Sequence, residues 1–285
     1  MRHTEDTFKT ASGYSIYHQC WLPDTEPVAV ILLVHGLGEH SGRYQNLITH
    51  FVPSGYAICA PDHPGHGRSS GAREYIRRFD DYITTLQQFS AQVRHRYPGI
   101  PVFLLGHSMG GLIAARYLIE YQQEFSGAII SAPAIKVAGK VSLPTLWAGK
   151  LIAVLLPKLG LIALDAHALS RDPQVVSEYL ADPLVCKDKT TARLAAEIVK
   201  TMQYVLEHAA RISLPVLIVQ GDADRIVDPQ GAQLLHDALL SADKTLQVYE
   251  GLYHELFNEP EHEQVLADVA GWLAGRLESG RGRPD

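Results

Sequence analysis

Residues Pro101 to Ala115 read Pro-Val-Phe-Leu-Leu-Gly-His-Ser-Met-Gly-Gly-Leu-Ile-Ala-Ala, an apolar strand that runs through a Gly-x-Ser-x-Gly pentapeptide into a helix of small residues. Gly106 and Gly110 leave room for a strand to reverse into a helix within a few residues, where a side chain at either position would collide with its neighbours. The turn pushes Ser108 Oγ out at its tip. The helix that opens at Met109 directs its free N–H groups and the positive end of its dipole toward any charge developing beside Ser108. Val102 to Leu105 before the pentapeptide and Leu112 to Leu118 after it supply the strand-turn-helix context that an isolated pentapeptide lacks.

Upstream, Tyr14 to Leu22 carries the aromatic and branched residues of a strand, bounded by Gly13 and Pro23. Val28 to Val34 is a continuous apolar run, as expected of a strand buried on both faces of a largely parallel sheet. A glycine-bearing loop follows at His35, then a helix over Tyr44 to Val52, a buried strand over Ala57 to Ala60 and a tight loop over Asp62 to Gly67. Asp80 to Arg96 is amphipathic, with Tyr82, Leu86, Phe89 and Val93 at helical spacing. Another strand, Gly127 to Ser131, succeeds the Ser108 helix. This alternation, with a serine on a sharp strand-to-helix turn, predicts the α/β-hydrolase fold: a mostly parallel central sheet flanked by helices.

The alternation stops at Ala132-Pro133 and resumes only at Leu214-Pro215, which marks residues 133–213 as an inserted, mainly helical cap and residues 1–132 and 214–285 as the core. Leu146 to Leu156 is apolar nearly all round, but Lys150, Pro144 and Pro157 stop it short of a membrane span. A helix of that kind lies on a bilayer surface or packs against the main domain, and its sequence fits both. Thr191 to Arg211 reads as a second cap helix. The core then continues with a strand over 216–220, a helix over 230–240, a strand over Thr245 to Glu250 and a closing helix near 262–278, followed by a polar tail expected to fray.

An exposed serine is a weak nucleophile unless a base takes its proton, and the base needs an acid to fix its tautomer. In this fold the acid and then the histidine follow the serine in the chain, each on a loop at the C-terminal end of a strand. Asp224 and His254 occupy those places. The chain holds 14 histidines, so position rather than residue type selects His254, which follows the last expected strand. Asp222 and Asp228 share the loop with Asp224, but the first suits a turn and the second, before Pro229, the start of the next helix. A tetrahedral oxyanion needs two backbone donors. The N–H groups of Met109 and of Leu37, between Gly36 and Gly38, are the candidates.

Composition narrows the partners. A net charge of −6 without a basic run argues against nucleic acid, and an apolar fraction of 46% excludes disorder. No histidine or cysteine spacing suits a metal, no phosphate-binding glycine loop is present, and no cofactor is expected. Cys20, Cys59 and Cys186 are odd in number and far apart, which predicts buried reduced thiols. With no apolar run of a signal peptide near Met1, the expectation is a cytoplasmic protein, at most peripheral to a membrane.

Several stretches go beyond the fold. The sequence resembles the monoacylglycerol lipases of the α/β-hydrolase superfamily through His35-Gly-Leu-Gly-Glu-His-Ser-Gly-Arg-Tyr44, Asp62-His63-x-Gly65-His66-Gly67-x-Ser69 and Pro101 to Gly111. Leu169-Ser170-Arg171, Asp182-Pro183-Leu184, Ala223-Asp224-Arg225 and the stretch from Asp243 to His254 extend the likeness over most of the chain. The resemblance implies a serine hydrolase that frees one fatty acid from glycerol, with a lipid ester as its partner and a cap that forms an acyl tunnel. It implies the same triad, Ser108, Asp224 and His254. It further suggests that Glu39, Arg43 and Tyr44 lie near the glycerol end, where the alternative is an internal ion pair that merely ties the loop down. Some relatives carry a histidine three positions after the catalytic one, where this chain has Phe257. A broad carboxylesterase or lysophospholipase with the same triad is the other reading, since cap and tunnel choose the substrate.

Overall fold

A computed structural model describes residues 1–137 and 151–281. In chain order the strands are β1 (Arg2–Lys9), β2 (Ser15–Leu22), β3 (Ala29–Val34), β4 (Tyr56–Pro61), β5 (Val102–His107), β6 (Gly127–Ser131), β7 (Gly160–Ile162), β8 (Thr190–Thr191), β9 (Val216–Gly221) and β10 (Lys244–Tyr249). The helices are α1 (Gln45–Phe51), α2 (Asp80–Arg96), α3 (Met109–Tyr121), α4 (Pro173–Ala181), α5 (Ala192–His208), α6 (Gln230–Ala238) and α7 (His262–Arg281). Eight strands form the main sheet in the order β1-β2-β4-β3-β5-β6-β9-β10, antiparallel at β1–β2 and β2–β4 and parallel at every later pair. This is the α/β-hydrolase fold expected from the alternation.

The apolar runs are continuous because the central strands are covered on both faces. Val30, Leu32 and Val34 of β3 pack with α2, α3 and α5, whereas Ala29, Ile31 and Leu33 pack with α1 and α7. The α1 helix is only seven residues long, too short to persist alone in water, and Leu47, Ile48 and Phe51 hold it by complete burial.

β9 pairs directly with β6, and none of the described residues between them adds a strand to the main sheet. Among the described residues that excursion contains the small β7–β8 pair, α4 and α5. The expected helix over Leu146 to Leu156 falls partly outside the described residues; positions 151–155 are helical. At the C-terminus the helix runs on to Arg281, three residues into the tail expected to fray, and the rest of that tail lies outside the described residues. No helix among the described residues is long and apolar enough to cross a membrane.

The expectation of three reduced cysteines does not hold. Cys20 and Cys59 are register partners on β2 and β4, with Cα atoms 4.2 Å apart, and a disulfide joins them. They are 39 residues apart in sequence and meet only because β3 inserts on the far side of β4. Cys186 is the free thiol.

Candidate active site

Ser108 sits between β5 and α3 with φ 55° and ψ −119°, a strained backbone for a residue with a side chain. Its surroundings hold it there. The Ser108 amide donates to the Ser131 carbonyl at 2.9 Å, and the Ser108 carbonyl accepts from Leu112 and Ala134 at 3.1 Å each. A methyl group at Gly106 would strike the Gly110 carbonyl, and one at Gly110 would strike that of Val34, so both glycines are required by close approach.

The loops after β9 and β10 bring Asp224 and His254 to this turn. Ser108 Oγ lies 2.8 Å from His254 Nε2, and His254 Nδ1 lies 2.7 Å from Asp224 Oδ2. Because a carboxylate accepts, Nδ1 carries the proton and Nε2 is left to take one from the serine. Burial alone would favour a neutral Asp224, but the His254 ring and the amides of Ile226 and Val227, at 2.8 and 3.1 Å from Oδ1, outweigh it and hold the carboxyl below its ordinary range. The competing acids are occupied elsewhere. Asp222 Oδ1 accepts the Gly251 amide at 2.6 Å, and Asp228 accepts from the first residue of α6, Gln230, at 3.0 Å.

Leu37, Ser108 and Met109 share the wall of one cavity of about 330 Å³. Met109 opens α3, so its N–H belongs to the first turn and has no partner within the helix. The rest of the wall is mainly apolar, with Ile198, Val199 and Met202 from α5 facing Ile226 and Val227 after β9. Such a site can hold a hydrocarbon chain against Ser108. No group of three or more potential metal ligands occurs among the described residues.

Glu39, Arg43 and Tyr44 also come together, though away from that cavity. Glu39 Oε1 accepts from the Gly36 amide and the Tyr44 hydroxyl at 2.6 Å each, and Arg43 donates to Glu39 Oε2 at 3.3 Å. Glu39 and Tyr44 line a separate space of about 10 Å³ with His107, Glu255, Phe257 and Asn258. Burial, and then Glu255 as a neighbouring negative charge, raise the Glu39 carboxyl, while Arg43 opposes the shift.

Three contributors went unread in the sequence. Glu255 receives both ends of the Arg43 guanidinium. His107 packs its ring 4.8 Å from that of His254, and burial together with that neighbour lowers it to about 3, so it stays neutral beside the triad. Asp62 accepts from Ser41 N and Ser41 Oγ at 2.9 and 2.6 Å and from Arg68 N at 2.8 Å, which ties the loop after β4 to the loop after β3. The excursion is fastened to the same loops. Cys186 N donates to Gly38 O at 2.7 Å, His40 Nε2 lies 2.8 Å from Asp182 Oδ2, and Glu255 N donates to Leu169 O at 2.8 Å.

Residues 25–261 match the family described as Serine aminopeptidase, S33. The chain is 39% identical over 274 residues to a monoacylglycerol lipase of Mycolicibacterium smegmatis, covering 96% of this chain and 98% of that one. It is 36% identical over 270 residues to a monoglyceride lipase of Homo sapiens, covering 93% and 89%. The crystal structure of Paleococcus ferrophilus monoacylglycerol lipase superposes with a TM-score of 0.81 at 32% identity, covering 97% of this chain and all of that one. Fold, site geometry and likeness over nearly the whole length agree: the chain belongs to the serine aminopeptidase S33 family and, within the α/β-hydrolase superfamily, to the monoacylglycerol lipases.

Proposed function

We propose that the protein hydrolyses monoacylglycerols to a free fatty acid and glycerol. The observation that carries this reading is the Ser108, His254 and Asp224 chain of hydrogen bonds opening on an apolar cavity in a member of that family. Ser108 Oγ attacks the ester carbonyl as its proton passes to His254 Nε2, and Asp224 stabilises the imidazolium formed. The Leu37 and Met109 amides bind the oxyanion. On collapse His254 returns the proton to the departing glycerol oxygen. Water then attacks the acyl-enzyme by the same route, and Ser108 recovers its proton as the fatty acid leaves.

Residues 133–213 are assigned as the cap and the remainder as the core. At about 330 Å³ the cavity is at the lower end of small-molecule sites, enough for one acyl chain and short of three. Each methylene buried there contributes about 0.8 kcal/mol until the space is full, so longer chains gain. Glu39, Arg43 and Tyr44 act on the alcohol side by holding the loop that bears Leu37, since their hydrogen bonds run to Gly36, to one another and to Glu255. The cap touches lipid surfaces transiently. Leu151, Val154, Leu155 and Leu156 are each more than half exposed on one short segment, an apolar patch that water disfavours and a bilayer interface accepts.

The test is kcat/KM for mono-, di- and trioleoylglycerol and for a lysophospholipid in one detergent. The monoester should be preferred by well over tenfold, on the order of the discrimination a filled pocket allows. Comparable rates on the mono- and triester would leave a broad carboxylesterase, and preference for the phospholipid a lysophospholipase.

A further inference from the structure

Buried histidines lie directly beneath the loop that carries Leu37, and the chemistry above uses none of them. His35, the residue after β3, is fully buried, with the rings of His63 and His66 at 4.0 and 5.5 Å. Both of its ring nitrogens have defined roles. The His63 backbone N–H donates to His35 Nε2 at 2.9 Å, so Nε2 is bare and Nδ1 holds the proton. Nδ1–H then donates to the Gly36 carbonyl at 2.8 Å. His63 closes the pair, with its Nε2 donating to the His35 carbonyl at 2.9 Å. Burial first, and the neighbouring His66 second, hold His35 well below the usual imidazole range, so the ring stays neutral and Nε2 remains an acceptor.

The Gly36 carbonyl and the Leu37 N–H are two ends of one peptide plane. No cis peptide occurs among the described residues, and in a trans peptide the C=O and N–H point in opposite directions. An oxygen drawn inward by His35 therefore turns the Leu37 N–H outward, toward the cavity that Leu37 and Ser108 share. Accepting a hydrogen bond also polarises the amide and makes its N–H a better donor. The preceding peptide is pinned as well, since Gly36 N donates to Glu39 Oε1 at 2.6 Å. The loop sits against the nucleophile: a methyl on Gly36 would lie 3.2 Å from Ser108 Cβ.

We infer that His35 is a positioning residue for the reaction: as the Nδ1–H tautomer it holds the Gly36–Leu37 peptide plane so that the Leu37 N–H meets the developing oxyanion. This rests on the roles proposed above for Ser108 and Leu37. An interaction of this kind acts on the transition state and not on the bound substrate.

The test compares His35→Gln with His35→Asn. The Asn amide nitrogen reaches the place of Nδ1 and restores the donor, whereas the Gln amide lies at the place of Nε2 and leaves the Gly36 carbonyl unpaired. For each protein kcat and KM are measured, with affinities for an alkyl trifluoromethyl ketone, which adds to the serine and forms an oxyanion, and for the matching alcohol, which only fills the cavity. His35→Gln should lose about 10- to 100-fold in kcat and in ketone affinity, less than deleting an oxyanion donor outright. KM and alcohol affinity should stay within about threefold, and His35→Asn should recover most of the loss. Wild-type kcat and ketone affinity in His35→Gln, equal losses in Gln and Asn, or a loss shared by KM and the alcohol would overturn the inference. If neither variant folds, 15N spectra of the wild-type imidazoles decide: His35 protonated at Nδ1 and bare at Nε2 supports it, and the reverse tautomer or a titrating ring overturns it. Absence of a ketone adduct on wild-type Ser108 would instead remove the proposed function and leave the His35 geometry untouched.

Discussion

Arg43 grips Glu255 with two hydrogen bonds, Nη1 to Oε1 at 2.6 Å and Nη2 to Oε2 at 3.0 Å, joining the loop after β3 to the loop that carries His254. Both side chains are almost wholly buried, and the Arg43 guanidinium also lies 4.6 Å from the ring of Tyr179 on α4. Burial favours a neutral Glu255, yet the guanidinium outweighs it and keeps the carboxyl below its ordinary range. Without Glu255 the buried Arg43 keeps only its longer contact to Glu39 at 3.3 Å, so Glu255→Ala should cost about 3 kcal/mol in urea unfolding. It should also lower kcat, because the loops that carry Leu37 and His254, the proposed oxyanion donor and base, lose their tie. A loss below about 1 kcal/mol would class the pair with exposed salt bridges and refute this account.

Ser108→Ala should reduce kcat by about six decades, since triad members act as a unit. Retention of a tenth of wild-type turnover would remove Ser108 from the nucleophile role.

Three aspartates on one stretch should separate by function. Asp224→Asn should cost about four decades in kcat by leaving His254 with the wrong tautomer. Asp222→Asn and Asp228→Asn, whose carboxylates accept from Gly251 and Gln230, should instead cost about 1 kcal/mol of stability with turnover largely kept. An inactive Asp228→Asn would reverse the assignment.

Glu74 makes stability fall with pH. Its side chain is buried, Oε2 accepts from Thr190 Oγ1 at 2.8 Å, and Oε1 has no partner among the described residues. Burial, helped by Asp188 and opposed by Thr190, pushes the carboxyl from 4.5 up to about 7. Between those values the native state binds more protons than the unfolded state, so stability declines as pH rises through the window and the penalty is complete above it. Glu74→Gln should match the wild type near pH 4 and exceed it by about 3 kcal/mol at pH 8. Parallel stability curves for the two proteins would exclude this role.

The exposed cap segment should govern lipid partition. Val154→Ser with Leu155→Ser removes two side chains that are 69% and 67% exposed and do not line the large cavity. Binding to phosphatidylcholine vesicles should fall about tenfold or more, as two partly buried aliphatic groups would supply, while hydrolysis of a soluble short ester is unchanged. Undiminished sedimentation with vesicles would place the lipid contact elsewhere.

The elbow, the parallel strands and the order of serine, aspartate and histidine were legible in the sequence because each depends on local pattern. A strand buried on both faces needs an unbroken apolar run, as in Val28 to Val34, and a turn this tight needs glycine at positions 106 and 110. β1 was missed because Arg2–Lys9 is an edge strand with mostly exposed side chains, held by pairing with β2 and not by a buried face. Contacts between distant segments left no local mark. Arg43 and Glu255 are 212 residues apart, and Cys20 and Cys59 meet through strand order. Periodicity records which face of an element is buried; which loops then meet over the sheet, and which donor a buried carboxylate or imidazole finds there, was decided only by the packing of the whole chain.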